Sequence, residues 1–233
     1  MKYDIFLVDA DDTLLDFHAS ALLAIKKSFE RFGYEWEERF GETFTNLNAR
    51  LWASLERKEI TRKQLTEDRF PLYLSLLGIC DISGEEYNRR FLQLLSTLPI
   101  YISGAEEFLT ALQSAGRVYI VTNGTEWIQK SRFDIAGLWS YADGVFVSDT
   151  VGADKPSKAY TDHVIAHIPD FNRERTVWIG DSLSADIRAA NDANIDSIWF
   201  NPKRKSRKDG VTATYEAESF EEILQILQIK AKK

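Results

Sequence analysis

Apolar positions along this chain follow two regimes. Near the N-terminus, and again beyond about residue 99, they come in short runs closed by small or polar residues. Ile5-Phe6-Leu7-Val8, Val118 to Val121, Val145 to Val147, Val177 to Ile179 and Ile198 to Phe200 are of this kind. Short apolar runs bounded by turn residues read as buried strands. Between them lie mixed polar and apolar stretches from Glu126 to about Gly137, from Lys158 to His167, and an Ala-rich one from Ser184 to Ala193. These read as helices. Strands alternating with helices predict an α/β fold with a Rossmann-like, doubly wound parallel sheet covered by helices on both faces.

From Phe17 to roughly Pro99 the period changes. Leu22, Ile25, Phe29 and Phe32 keep helical spacing, as do Leu47, Leu51 and Leu55. Further helical patterns run from Arg62 to Leu77 and from Glu85 to Leu95, with Gly33, Gly41, Gly78 and Gly84 between them. No strand pattern appears. The expected organisation is an α/β core of residues 1–16 and 99–233, with an all-helical cap of about four helices, residues 17–98, inserted after the first strand. In open α/β sheets, ligands bind outside the carboxyl ends of the strands. An insert leaving from that edge is expected to act as a lid.

The polar clusters fall at those strand ends. Asp9 and Asp11 follow the first run, Thr122 and Asn123 the second, and Asp181 the run ending at Ile179-Gly180. In an extended strand, residues i and i+2 share a side, so Asp9 and Asp11 are expected to project into one pocket. Two crowded carboxylates repel unless a cation or a shared proton offsets them. The pair therefore suggests a magnesium site and an aspartate nucleophile. Read singly, each cluster has a plainer explanation. Asp is common after strands, Thr122-Asn123-Gly124 makes a strand-to-helix turn, Lys155 is a surface lysine, and Asp186 suits the first turns of a helix.

Composition narrows the class. The net charge of −7 disfavours a nucleic-acid polymer as partner, and an anionic substrate needs a metal or a few basic side chains. The basic run Lys203 to Lys208 reads as a solvated loop beside Asn201-Pro202 and Asp209-Gly210. One cysteine, Cys80, excludes an internal disulfide framework. Neither a secretion signal nor an apolar run of membrane-spanning length is visible, so a cytoplasmic protein without a membrane partner is expected, as monomer or homodimer.

Taken in order, these clusters resemble the four motifs of the haloacid dehalogenase (HAD) superfamily of phosphohydrolases. Asp9-Ala10-Asp11-Asp12-Thr13 is similar to motif I, Thr122-Asn123-Gly124 to motif II, Lys155 in Gly152-Ala153-Asp154-Lys155-Pro156 to motif III, and Gly180 to Asp186 to motif IV. The resemblance implies a Mg2+-dependent phosphomonoester hydrolase working through an aspartyl-phosphate. It implies that Asp9 is the nucleophile and that Asp11 protonates the leaving group and then activates water. The metal is held by Asp9, the Asp11 backbone carbonyl and Asp181, while Asp186 either serves the metal shell through water or holds Lys155. Thr122 and the Asn123 backbone N–H bind phosphoryl oxygens, Lys155 balances their charge, and Thr13 orients the motif I loop.

Asp11 separates two branches, because the dehalogenases proper lack that acid. Thr13-Leu14-Leu15-Asp16-Phe17, Asn48 to Trp52, Glu56 to Arg62 and Asp68-Arg69-Phe70 resemble the bacterial pyrimidine 5′-nucleotidase group, which also handles noncanonical nucleotides. Ala10 and Ser182 depart from that group's pattern. The resemblance implies a nucleoside monophosphate as substrate, with Phe17 either stacking on the base or packing the hinge. Arg50, Arg57 and Arg69 are cap cations that reach a substrate or lie on solvated faces, and Trp52 reads as core. Another small phosphomonoester, such as a sugar phosphate or phosphoglycolate, is the alternative substrate. A catalytically silent binding module is the alternative of a different class.

Overall fold

The computed structural model describes residues 2–206 and 210–230. Arg207 and Lys208, part of the basic run, lie outside the described residues. The chain divides into two compact units, Met1–Asp16 with Ile100–Lys233, and Phe17–Pro99.

The first unit opens with β1 (Ile5–Val8). The second unit follows, with helices α1 (Phe17–Arg31), α2 (Glu38–Glu56), α3 (Arg62–Leu77) and α4 (Gly84–Leu95). The first unit then resumes with α5 (Ala105–Ala115), β2 (Arg117–Thr122), α6 (Glu126–Ala136), β3 (Gly144–Val147), α7 (Ser148–Val151), α8 (Lys158–Ala166) and β4 (Thr176–Gly180). A π-helical turn, Leu183–Ile187, leads into α9 (Arg188–Asp192), and β5 (Asp196–Phe200), β6 (Tyr215–Ala217) and α10 (Phe220–Leu227) complete it.

Among the described residues the strands form one parallel sheet in the order β3-β2-β1-β4-β5-β6. Strands built outward from β1 in both directions place a crevice where the order reverses, at the carboxyl ends of β1 and β4. The strands are apolar on both faces because both are covered. Phe6, Val8, Val118, Ile120, Val177 and Ile179 pack with residues of α5 and α10. The alternate residues Ile5, Leu7, Tyr119, Val121 and Trp178 pack with Tyr160 and Val164 of α8 and Ala189 and Ala190 of α9. This is the two-residue period of a strand expressed as two separate cores.

The segments expected to be strands are strands. The Ala-rich helix expected over Ser184 to Ala193 instead begins as the π-helical turn, and β6 has no counterpart among the apolar runs: Tyr215 and Glu216 are exposed and only Ala217 is buried.

The helical unit has a core of aromatic rings. Phe29, Phe40, Phe44, Phe70, Tyr73, Tyr87 and Phe91 are all buried, in contacts such as Phe29 on Phe40 at 4.2 Å between ring centroids. The two buried tyrosines satisfy their hydroxyls on helix carbonyls, Tyr73 on Phe40 and Tyr87 on Ile25. A reciprocal cap between Thr61 and Gln64 starts α3, and Gly78 in the left-handed region (φ 73°) ends it. Trp52 is not core as expected. It is half-buried, with the Arg62 guanidinium 5.7 Å from its ring.

Candidate active site

Four buried polar groups meet at the carboxyl edge of β1, β2 and β4. Asp9 stands one residue past β1 and donates its backbone N–H to Ile179 of β4. The next residues turn sharply. Leu14 and Leu15 both donate to the Ala10 carbonyl, Asp12 donates to Leu15, and Asp12 takes φ 60°, a conformation Asp tolerates better than most residues. The turn lets the Thr13 hydroxyl donate to Asp9 Oδ2 at 3.0 Å.

Lys155 is the hub. It is 3% exposed, and its ammonium donates to Asp9 Oδ1 at 2.6 Å, to Asp186 Oδ1 at 2.7 Å and to the Val121 carbonyl at 2.8 Å. All three of its protons are thereby used. The Asn123 side chain places the lysine: its Oδ1 accepts from the Lys155 N–H and its Nδ2 donates to the Lys155 carbonyl. Asp186 arrives from the π-helical turn after β4, where the Ser182 hydroxyl caps the Ala185 N–H and the Ser182 N–H reaches back to Asp186 Oδ2. Gly180 makes this approach possible, since a Cβ there would lie 2.3 Å from the Asp186 carboxyl carbon.

Asp181 completes a cluster with Asp9 and Asp186: one carboxylate oxygen of each lies within 4.8 Å of the others. Its backbone carbonyl accepts from the Trp199 indole, and its Oδ2 accepts from Lys205 at 3.0 Å. Lys205, from the run read as a solvated loop, is thus tied to the site. A cleft of about 490 Å³ lined by Asp181, Ser182, Leu183, Ser184, Trp199, Lys205 and Ser206 opens beside it.

The electrostatics follow from this crowding. Burial pushes the Asp9 carboxyl well above its ordinary range, against the pull of the Lys155 ammonium, and the Asp186 and Asp181 carboxylates push the same way. Burial likewise pushes Asp181 up to about 7, although Lys205 pulls it down. Burial opposes the Lys155 charge, yet the Asp186 and Asp9 carboxylates outweigh it and raise its pKa. Three carboxylates set against the buried Lys155 ammonium and the more exposed Lys205 are a site short of positive charge. Their hard oxygen donors suit a small divalent cation such as magnesium.

Asp11 departs from expectation. The strand ends at Val8, so the two-residue alternation does not extend to it, and its carboxylate is not one of the clustered three. Its Oδ1 stands 2.6 Å from Arg132 Nη1, and its Oδ2 accepts from Gln129 Nε2 at 2.9 Å. The same Gln129 amide donates to Thr122 Oγ1 at 3.0 Å, and Thr122 is wholly buried. Gln129 and Arg132 were missed by sequence reasoning because, on a helix, each reads as an ordinary exposed polar residue. Phe17 opens α1 in the helical unit and is half-buried. Of the three cations noted there, Arg50 is exposed and Arg57 pairs with Glu59, whereas Arg69 is 4% exposed and donates to Asn48 Oδ1.

Comparison with known proteins follows the same residues. YfnB of Bacillus subtilis, itself assigned only as a HAD-hydrolase, is 34% identical over 98% of this chain and 97% of its own. Its crystal structure, described as bound to magnesium and as revealing interdomain movement, superimposes with a TM-score of 0.93 over 98% of this chain and 100% of that one. The pyrimidine 5′-nucleotidases PynA of Streptococcus pneumoniae and YjjG of Escherichia coli are 32% and 26% identical. Each match covers 97% of this chain, with 96% of PynA and 99% of YjjG. The haloacid dehalogenase-like hydrolase family model matches residues 3–194, a span that holds Asp9, Asp11, Thr122, Asn123, Lys155, Asp181 and Asp186. The chain belongs to the haloacid dehalogenase-like hydrolases.

Proposed function

We propose that this hydrolase is a magnesium-dependent phosphomonoesterase acting on nucleoside 5′-monophosphates, pyrimidine nucleotides foremost, in the cytoplasm. The observation that carries the reading is the buried Asp9–Lys155–Asp186 arrangement with Asp181 beside it. Two nucleotidases among the relatives supply the substrate class.

Asp9 and Asp181, with Asp186 beside them, would hold magnesium, which would supply positive charge next to the phosphoryl oxygens. The chain's own groups do the rest. Thr13 and Lys155 hold the two oxygens of Asp9, so the carboxylate presents a fixed face to phosphorus. An Asp9 oxygen forms a bond to phosphorus as the ester P–O bond breaks. The departing nucleoside oxygen takes its proton from Asp11. Water then attacks phosphorus, gives a proton back to Asp11 and frees Asp9 and inorganic phosphate. Lys155 offsets charge on Asp9 throughout, and Thr122 with the Asn123 N–H meets the phosphoryl oxygens.

A panel of phosphomonoesters assayed with and without magnesium tests this. It should include pyrimidine and purine nucleotides, sugar phosphates and phosphoglycolate. The expected result is metal-dependent release of phosphate with kcat/KM highest for pyrimidine nucleoside monophosphates. A flat profile, or a sugar phosphate at the top, sinks the nucleotidase reading. Absence of turnover on every ester sinks the phosphatase reading.

A further inference from the structure

Helix α6 buries Ile128, Gln129, Arg132 and Phe133. Two of these are polar, and they lie three residues apart on one face of the helix. Arg132 is 1% exposed and Gln129 2%. Burying a guanidinium is costly, and here the cost is not fully offset, since Arg132 Nε and Nη2 are buried without a hydrogen-bond partner. A face built for stability alone would carry apolar side chains at both positions.

What the two residues hold is Asp11. Arg132 Nη1 stands 2.6 Å from Asp11 Oδ1 and donates to Gln129 Oε1 at 2.8 Å. An arginine only donates, so the Gln129 carbonyl must face it and the amide nitrogen must face away. That orientation aims the amide N–H groups at Asp11 Oδ2 and Thr122 Oγ1. Both Asp11 oxygens are therefore held, Oδ2 by a hydrogen bond from the amide and Oδ1 by charge contact with the guanidinium without a hydrogen bond. The grip crosses from motif I to a helix more than a hundred residues away. Gly124 leaves room for it: a Cβ there would lie 2.8 Å from Gln129 Cγ.

We propose that Gln129 and Arg132 are positioning residues that aim the Asp11 carboxylate for proton transfer, with Gln129 also setting the Thr122 hydroxyl. This rests on the reading of Asp11 as the proton carrier. Neither residue touches substrate. They act by removing the rotational freedom of a carboxylate that otherwise projects from a turn.

The test uses two probes with magnesium saturating: uridine 5′-monophosphate, whose leaving oxygen needs a proton, and p-nitrophenyl phosphate, whose phenolate leaves without one. Hydrolysis of the intermediate is common to both and also uses Asp11, so kcat/KM, which covers only the steps up to the intermediate, is compared, and its ratio between the two probes reports proton donation. Arg132→Met and Asp11→Asn should each lower kcat/KM on the nucleotide about 100-fold, within the usual range for a general acid. The loss of kcat/KM on the aryl ester should be about tenfold smaller, because its leaving group needs no proton, and inhibition by inorganic phosphate should stay within about threefold. Arg132→Lys, which keeps a cation, should recover part of the nucleotide rate. Gln129→Leu should slow both substrates through Thr122 and the nucleotide more. It carries the test alone if Arg132→Met fails to fold by circular dichroism. A split with Asp11→Asn but equal losses with the Gln129 and Arg132 variants overturns the positioning role alone. Equal losses with Asp11→Asn overturn the proton-carrier reading, and the positioning role with it.

Discussion

The two units each bury charge, and they offset its cost by opposite means. In the α/β unit, Lys155 is enclosed by two carboxylates and a carbonyl, so almost every polar atom around it has a partner. In the helical unit, Arg69 has no carboxylate within ion-pair distance among the described residues. It has one amide, Asn48, and the rings of Phe70 and Phe91 at 4.8 and 5.2 Å. Its Nε is buried and unpartnered. Burial alone lowers its pKa to about 10. The lesson is that burial of a cation does not by itself mark a chemical site. What marks one is an excess of the opposite charge that the cation leaves only partly neutralised.

The largest expected effect breaks the first arrangement. Lys155→Met leaves Asp9 and Asp186 facing each other in a buried site, and losing one partner of a buried pair costs about 3–5 kcal/mol. Chemical denaturation should show a loss of that size, with turnover abolished. A variant as stable as the parent would mean that the carboxylates do not depend on the lysine.

An intermediate effect comes from pH. The carboxyls of Asp9 and Asp181 lie above their ordinary values in the folded protein, Asp181 at about 7, against roughly 4 for an unfolded Asp. The folded state thus holds these protons more tightly. The stability they contribute is complete below about pH 4 and is lost as pH rises through about 7 for Asp181. On the proposed metal site, magnesium would displace those protons, so the rise in Tm on adding it should grow from near zero at pH 5 to on the order of several degrees at pH 8. Scanning calorimetry with and without magnesium checks this. An increment independent of pH would contradict it.

The smallest effect sharpens the contrast from the other side. Arg69→Met keeps the volume of a side chain whose charge has no counter-ion among the described residues, so stability should change by less than about 1 kcal/mol or improve. A loss comparable to that of Lys155→Met would erase the distinction between the two buried cations.

Much of this fold is legible in the amino-acid order because burial and periodicity coincide. Apolar runs marked the strands β1 to β5, and the helical spacing of Leu22, Ile25 and Phe29 marked the second unit. Acids at strand ends marked Asp9 and Asp181, since strand ends converge in a parallel sheet whatever the loops between them do. The missed features depend on partners far away in sequence. Gln129 and Arg132 gain meaning only from Asp11, and Lys205 only from Asp181. The direction of Asp11 was lost because alternation stops with the strand, three residues earlier. β6 escaped notice because a three-residue edge strand with two exposed side chains carries no apolar signal.

One junction shapes what this architecture permits. The chain leaves the sheet unit at Asp16 and returns at Ile100, and these two segments are stitched together. Asp16 donates to the Ile100 carbonyl, Ile102 donates to the Leu14 carbonyl, and Leu15 bridges Tyr101. The two ends of the helical excursion are thus joined to each other within the sheet unit. For a flexible excursion, a change of length alters the closure entropy only logarithmically. The seam therefore fixes both ends of the insertion beside the turn that carries Asp9, whatever length of chain runs between them.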